Sequence, residues 1–92
     1  MTIFNVSYDL VDRRNYQRLH DGIKRTCPNW AKVLESTWLV EYAGSSLDLT
    51  KALVKFMDGD DKIFVTQVVS GSSAWRGIDG EVVNWINRQR AA

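Results

Sequence analysis

One acidic residue stands where a strand gives way to a helix, and its carboxylate is the first candidate for chemistry in this chain. The start of the sequence alternates apolar and polar side chains, reaches Tyr8 and Asp9, and then enters a charged turn. A carboxylate at the end of a central strand can bind a hard cation such as Mg²⁺ or Mn²⁺. Two-fold symmetry would bring a second Asp9 near the first. The structural alternative is that Asp9 caps the following helix or pairs with Arg13 or Arg14.

Other residues of chemical interest each have a structural alternative. Asp12 is either a second metal ligand or the N-cap of the first helix, and its position favours the cap. His20 lies in the first helix, where a lone histidine is more often a packing or surface residue than a general base. Cys27 has neither a neighbouring histidine nor a CxxC partner, which argues against a nucleophile.

Two loops contain ligand-type residues at unsuitable spacing. Asp58, Asp60 and Asp61 resemble part of a calcium loop but fail the EF-hand pattern, so they predict a turn. The segment Ser70 to Ser73 offers hydroxyls and backbone amides to a phosphate, yet it lacks the P-loop spacing and a plain loop is favoured. Neither loop predicts a dedicated site.

Aromatic and basic residues supply the candidates for nucleic-acid contact. Trp75 can stack on a base while Arg76 pairs with a phosphate. Alternatively, Trp75 anchors the C-terminal extension on the sheet. Arg13 and Arg14 begin a basic strip near the first helix, which is either a solvated face or a phosphate contact; its other members are Arg18, Lys24 and Arg25.

Size and composition limit the protein class. The 92 residues predict a single domain over 1–92, with 45% hydrophobic and 25% charged residues. A net charge of +1 argues against a strongly cationic coat protein for nucleic acid. The single cysteine cannot form an intramolecular disulfide and fits a reducing compartment. Without an apolar run of membrane-spanning length or a signal peptide, we expect a cytoplasmic protein.

Periodicity predicts the order of the elements. Strand-type alternation and helix-type spacing give β-α-β-β-α-β followed by a C-terminal extension with a short helix. The predicted segments are a strand from Ile3 to Leu10, a helix from Arg13 to Thr26, two strands within Trp30 to Tyr42 around Glu35-Ser36, a helix with Ser46 as its N-cap, a strand from Lys62 to Val69, and a helix from Asp79 or Gly80 to Arg88.

This order is that of an α+β, ferredoxin-like fold, an antiparallel sheet with its two main helices on one face. The first helix should bury Tyr16, Leu19, Ile23 and Cys27, and the second should bury Leu49, Ala52, Leu53, Phe56 and Met57. The opposite face of the sheet has some apolar residues, although the pattern leaves open whether Ile63 or Phe64 is among them. A mixed face of this kind is commonly closed by a C-terminal segment or by a second copy of the chain, and we expect a homodimer.

A family resemblance rests on three short motifs. Val6-Ser7-Tyr8-Asp9-Leu10, the turn with Arg13-Arg14, and the strand Glu35 to Val40 resemble the small ferredoxin-like CRISPR-associated proteins of the adaptation complex and the related virulence-associated protein D toxins. The resemblance covers most of the chain up to Val69, and it implies a homodimer. It also implies a strand-one Asp linked to metal-dependent nuclease activity, here Asp9, with Ser7 and Tyr8 as neighbours at the substrate. The stretch from Ser70 to Trp85 departs from the family pattern, which suggests a divergent member.

Two classes of function follow. The first is a metal-dependent endonuclease, acting on RNA or DNA with Mg²⁺ or Mn²⁺ held by Asp9. The second is a non-catalytic module that binds nucleic acid, a small nucleotide ligand or a protein partner, for example as a phage or defence-system component or as a subunit of a larger complex. We favour a nucleic-acid-related homodimer in either class. The candidate binding residues are Ser7, Tyr8, Arg13, Arg14, Trp75 and Arg76.

Overall fold

Four antiparallel strands and three helices follow one another in the order that the periodicity predicts. The computed structural model describes residues 2–12, 14–69 and 73–91. It confirms the α+β, ferredoxin-like order β-α-β-β-α-β with a C-terminal helix. The elements are β1 (Thr2–Asp9), α1 (Arg14–Thr26), β2 (Asn29–Leu34), β3 (Thr37–Tyr42), α2 (Ser46–Leu53) with a 3-10 turn at Val54–Phe56, β4 (Lys62–Gln67) and α3 (Gly80–Ala91).

The first strand lies in the middle of the sheet, as predicted. The strand order is β2-β3-β1-β4, and β1 pairs antiparallel with both β3 and β4. Phe4, Val6 and Tyr8 are buried on the face that α1 and α2 cover, which we call the inner face. Because successive side chains of a strand point to opposite sides, Ser7 and Asp9 lie on the outer face.

The first helix packs through the predicted stripe. Leu19, Ile23 and Cys27 are fully buried, and Tyr16 is partly buried against the same core. The helix begins at Arg14, and Arg13, the predicted first residue, lies outside the described residues. It ends at Thr26, two residues before Pro28, as the ring of a proline requires.

The N-cap of the second helix is Ser45, so the prediction of Ser46 was wrong by one residue. The Ser45 hydroxyl accepts from the Asp48 N–H at 3.0 Å, and the Asp48 carboxylate accepts from the Ser45 N–H at 3.3 Å. This reciprocal pair is a capping box, in which both partners satisfy backbone amides that the helix leaves unpaired. The sequence analysis missed that Ser45, three residues before Asp48, has the spacing of a capping box.

The C-terminal helix covers part of the outer face. Trp85 and Ile86 of α3 pack against Ala31, with Ile3 and Leu39 at the margin. The Trp85 indole also donates a 2.6 Å hydrogen bond to Asn29 Oδ1. The helix runs to Ala91, beyond the predicted end at Arg88, and β4 ends at Gln67 rather than Val69. A C-terminal segment thus closes the part of the outer face over β2 and β3.

The register of β4 resolves the choice that the sequence left open. Ile63 and Val65 pair with Tyr8 and Val6 and pack on the inner core. Phe64 pairs with Ser7 and is therefore on the outer face, where it remains 69% exposed. The outer face over β1 and β4 is consequently uncovered by α3.

Within the described ranges, every helix is too short or too polar to span a lipid bilayer.

Gly22 permits close packing of α1 on the 3-10 turn, and this contact gives the first prediction. A Cβ at Gly22 would overlap the Phe56 ring, including the ring carbon nearest the backbone. Gly22→Ala should therefore lower the free energy of unfolding by about 1–3 kcal/mol, although alanine favours helix. Chemical denaturation measures this change. Adding Phe56→Leu should recover stability in the double variant, and unchanged stability of Gly22→Ala alone would contradict the packing.

Candidate functional site

The outer face over β1 and β4 holds the candidate carboxylate. Asp9 is exposed at the end of β1 and pairs across the strands with Lys62. Ser7 and Phe64 form the next cross-strand pair and Asn5 and Thr66 the one after. We call this surface the open half-sheet; it comprises Asn5, Ser7, Asp9, Lys62, Phe64 and Thr66. Side chains directly opposite each other on such a pair are about 4.5–5.5 Å apart at Cβ, so these groups adjoin.

Polar side chains in the open half-sheet are connected to one another. The Ser7 hydroxyl donates to Asn5 Oδ1 at 3.2 Å and shares a 3.3 Å hydrogen bond with the Thr37 hydroxyl. A shallow depression of about 300 Å³ lies beside this row, and Ser7, Asp9, Lys62 and Phe64 contribute to its lining. The surface thus combines a carboxylate, an ammonium group, hydroxyls and one exposed aromatic ring.

The Asp9 carboxylate is not a helix cap in this structure. Among the described residues, none forms a hydrogen bond or ion pair with it. Leu10 and the charged turn separate Asp9 from the start of α1 at Arg14. Pairing with Arg13 stays a prediction, because Arg13 lies outside the described residues, and the side chain of Arg14 does too.

The turn from Asp58 to Asp61 holds the loop that follows Asp9 in place through carboxylate hydrogen bonds. Asp61 accepts from the Val11 N–H at 2.9 Å through one oxygen and from the Asp58 N–H at 2.8 Å through the other. Asp58 in turn accepts from the Asn15 side-chain amide at 2.6 Å. The segment from Asp58 to Asp61 is the turn that the sequence predicts, and it joins the start of α1 to the start of β4. Both flanks of the Asp9–Lys62 pair are held by this turn.

Metal binding within one chain has limited support. Among residues 2–12, 14–69 and 73–91, no three His, Cys, Asp or Glu side chains form a group that could hold a metal ion. The donor set at the open half-sheet is one carboxylate. Mg²⁺ keeps several waters and commonly binds one or two protein carboxylates together with substrate phosphates, so Asp9 could supply one protein ligand to such an ion.

Tyr8 lies on the opposite side of the sheet from Ser7 and Asp9. Its ring is buried, and its hydroxyl accepts a 2.9 Å hydrogen bond from the Trp38 indole N–H. The same hydroxyl lies 2.7 Å from His20 Nε2 and 3.4 Å from the Glu35 carbonyl oxygen. Since an indole N–H can only donate, the Tyr8 hydroxyl keeps its own proton for one of two acceptors: the Glu35 carbonyl oxygen, or His20 Nε2 when that nitrogen is unprotonated. The side chains of Ser7 and Tyr8 therefore point to opposite faces of the sheet, although both residues line the shallow depression beside the open half-sheet.

His20 is a packing residue, in line with the sequence analysis, but the sequence did not predict its partners. Its ring lies 5.1 Å from the Trp38 ring and 6.1 Å from the Tyr16 ring, centroid to centroid. Spacing along the chain gives no sign of this contact, because Tyr8, His20 and Trp38 come from β1, α1 and β3. Strand alternation indicates that the side chains of Tyr8 and Trp38 are buried, and each of them needs a polar partner when buried.

Burial changes the acid–base properties of this cluster. Desolvation raises the pKa of Tyr8 to about 12, even though the hydrogen bond from Trp38 acts in the opposite direction. Desolvation, with Lys32 and Lys24 nearby, lowers the pKa of His20 below its ordinary value, against the opposing effect of Asp21 and Glu35. Burial likewise raises the pKa of the Cys27 thiol to about 11, so it is a poor nucleophile at neutral pH.

Trp75, Arg76 and Asp12 are not among the residues of the open half-sheet. Trp75 and Arg76 are exposed in the segment before α3, where Gly77 adopts a φ of 74° that favours glycine. Their stacking and phosphate-binding roles stay predictions. Ser70 to Ser72 of the predicted phosphate loop lie outside the described residues. Asp12 accepts the Asn15 N–H through its carbonyl at 3.0 Å at the entrance to α1.

Comparison with known proteins supports the architecture alone. No protein-family model matches this chain. The crystal structure of TT1823, a hypothetical protein from Thermus thermophilus, superimposes with a TM-score of 0.65 at 20% sequence identity. The match covers 85% of this chain and 94% of that one. At this identity the likeness establishes a shared fold, and function has to be argued from the site itself.

The His20 cluster predicts a pH dependence of stability. Because the folded-state pKa of His20 is lowered, the unfolded chain takes up a proton first as the pH falls through about 6.5. The contribution of neutral His20 to stability is complete above that pH and is progressively lost below it. Urea denaturation at pH 7.5 and pH 5 should show a larger loss in the wild type than in His20→Gln, whose amide oxygen can still accept from Tyr8. Equal losses in the two proteins would contradict this assignment.

Proposed function

We propose that this chain acts on nucleic acid as a homodimer, with Asp9 as a ligand of a catalytic metal ion at the open half-sheet. The observation that supports this proposal best is the placement of Asp9. It is an exposed carboxylate at the end of the central strand, adjacent to Lys62 on a surface that none of the described helices covers. The resemblance to the adaptation proteins and the protein D toxins points to the same residue and remains a prediction.

Association of two copies would complete a site that one chain leaves partial. Phe64 is 69% exposed in the middle of the open half-sheet, while α3 packs on Ala31, Ile3 and Leu39 elsewhere on the outer face. Covering this ring with the same surface of a second chain would remove it from water and would bring two Asp9 carboxylates to one cleft. Two carboxylates and the phosphates of a bound strand form a ligand set suited to Mg²⁺ or Mn²⁺.

The chemistry divides between the ion and the protein side chains. When bound, the ion would supply an activated water and stabilise negative charge on the phosphate that is attacked. Asp9 would hold the ion at the edge of the sheet. Lys62 would attract the phosphate of the substrate strand, and the hydroxyls of Ser7 and Thr37 would orient the backbone beside it.

A second candidate is binding without cleavage. It is favoured by the absence, among the described residues, of a grouped set of three ligating side chains. The open half-sheet would then serve as a platform on which a base stacks against Phe64 and polar groups contact its edges, as other four-stranded sheets bind single strands. A nucleotide ligand or a protein partner would use the same surface.

Cleavage and its dependence on Asp9 decide between the two candidates. Purified protein should cut RNA or DNA in Mg²⁺ or Mn²⁺, lose this activity in EDTA, and lose it again as Asp9→Asn. The variant should remain dimeric and change the free energy of unfolding by less than about 0.5 kcal/mol, because the side chain is exposed. Asp60→Asn, an exposed carboxylate in the turn, is the matched control and should cut normally. Binding without turnover in both variants would favour the second candidate.

Dimerisation through the open half-sheet is tested by Phe64. Sedimentation at micromolar concentration should show a dimer for the wild type. Phe64→Ser should weaken association about tenfold or more, because burying this side chain contributes about 1.5–3 kcal/mol in each copy. Leu47→Ser removes a comparably exposed apolar side chain from α2, 60% exposed, and should leave the dimer intact. A monomeric wild type would remove the shared-site model.

A further inference from the structure

A second surface, on the inner side of the edge strand β2, combines an exposed aromatic ring with two cations. Trp30 is 37% exposed, and its ring lies 5.1 Å from that of Trp38. The Lys24 ammonium lies 5.0 Å from the Trp30 ring centroid. Lys32 follows two residues later on the same face of β2, since alternate side chains of a strand point the same way. We call Trp30, Lys24 and Lys32 the Trp30 surface.

We propose that the Trp30 surface binds single-stranded nucleic acid, with a base on the Trp30 ring and phosphates at Lys24 and Lys32. Stacking on an aromatic ring tolerates every base, and ammonium groups on either side track the backbone. The Lys24 ammonium now covers the ring by a cation–π contact, which is worth little at an exposed site. An incoming base can take its place while the flexible lysine moves to the adjacent phosphate.

Charge places the strand on the α1 side of Trp30. Trp30 and Lys32 also line a groove between β2 and α3, together with the carboxylates of Asp79 and Glu81 and the guanidinium of Arg88. A polyanion gains little there, because the charges balance. Toward α1, the Lys24 ammonium lies over the Trp30 ring and Lys32 is close enough to His20 to help lower its pKa, so the strand would leave across the end of that helix.

This surface is independent of the carboxylate site. Asp9 is on the outer face, whereas Trp30 packs against Trp38 of the inner core. Loss of binding at Trp30 therefore leaves the cleavage proposal standing, and loss of cleavage in Asp9→Asn leaves this binding site intact. The sequence analysis favoured Trp75 for stacking, and that residue, 38% exposed, provides a matched comparison.

His20 provides an internal reporter of phosphate at the two lysines. It is the single histidine of the chain, so its imidazole signals in an NMR spectrum are unambiguous. The charged groups that face it are Lys32, Lys24, Asp21 and Glu35, and the lysines help to hold its pKa below the ordinary value after burial. A phosphate at Lys24 and Lys32 offsets their positive potential and should raise the pKa of His20.

The binding test compares two tryptophans of nearly equal exposure. Anisotropy of a short fluorescein-labelled single-stranded DNA, in EDTA to prevent cleavage, should show binding that Trp30→Leu weakens about fivefold or more and Trp75→Leu leaves unchanged. Trp30→Phe retains a ring and should bind between these extremes, which guards against a folding defect in the leucine variant. No binding by the wild type, or equal affinity of wild type and Trp30→Leu, would overturn the proposal.

The charge test uses salt dependence and the histidine signal. Lys24→Gln and Lys32→Gln should each reduce the slope of log affinity against log salt by about 0.7, whereas Lys51→Gln on α2 should not. Titration of His20 with adenosine monophosphate should raise its pKa, inorganic phosphate should raise it less, and adenosine should leave it unchanged. A His20 pKa that is insensitive to adenosine monophosphate, with lysine variants that keep the full salt slope, would exclude phosphate contact at this surface.

Discussion

The hydroxyl of Tyr8 joins three elements, and the inner core is arranged around it. It accepts from the Trp38 indole of β3 and lies within hydrogen-bond distance of the His20 imidazole of α1, while its own ring belongs to β1. A buried hydroxyl or indole that lacks a partner costs about 1–3 kcal/mol, so each group here depends on the other two being in place. The register of β1 against β3 and the rotation of α1 about its axis are thereby fixed together.

The two faces of the sheet differ in how much of their surface the helices cover, and the candidate site lies on the less covered face. The inner face is closed by α1 and α2, and the outer face is closed by α3 over β2 and β3. The surface over β1 and β4 remains exposed, so its side chains do not have to be apolar. A carboxylate is tolerated at Asp9 because that position is exposed, while the same residue one position earlier would be buried without a counter-ion.

Local pattern predicted the elements, and tertiary contacts decided the details. Alternation in β1 and the stripe of α1 follow from burial of one face, so their existence and order were predictable. The Ser45–Asp48 capping box is local and could have been predicted from its spacing, whereas the outward position of Phe64 depended on the register of β4 with Ser7. The meeting of His20 with Tyr8 and Trp38 could not be predicted from spacing, because it requires β1, α1 and β3 to be placed first.

Because α3 is the last element to be synthesised, it packs on the sheet after the other elements are complete. The core of Phe4, Leu19 and Leu49 can close once β4 has emerged from the ribosome, because all of its elements precede that point. Ala31 and the apolar residues beside it on the outer face are then exposed to solvent until Trp85 and Ile86 have been synthesised. During that interval the outer face exposes these apolar side chains in addition to Phe64, and apolar surface exposed before folding is complete favours association with other chains.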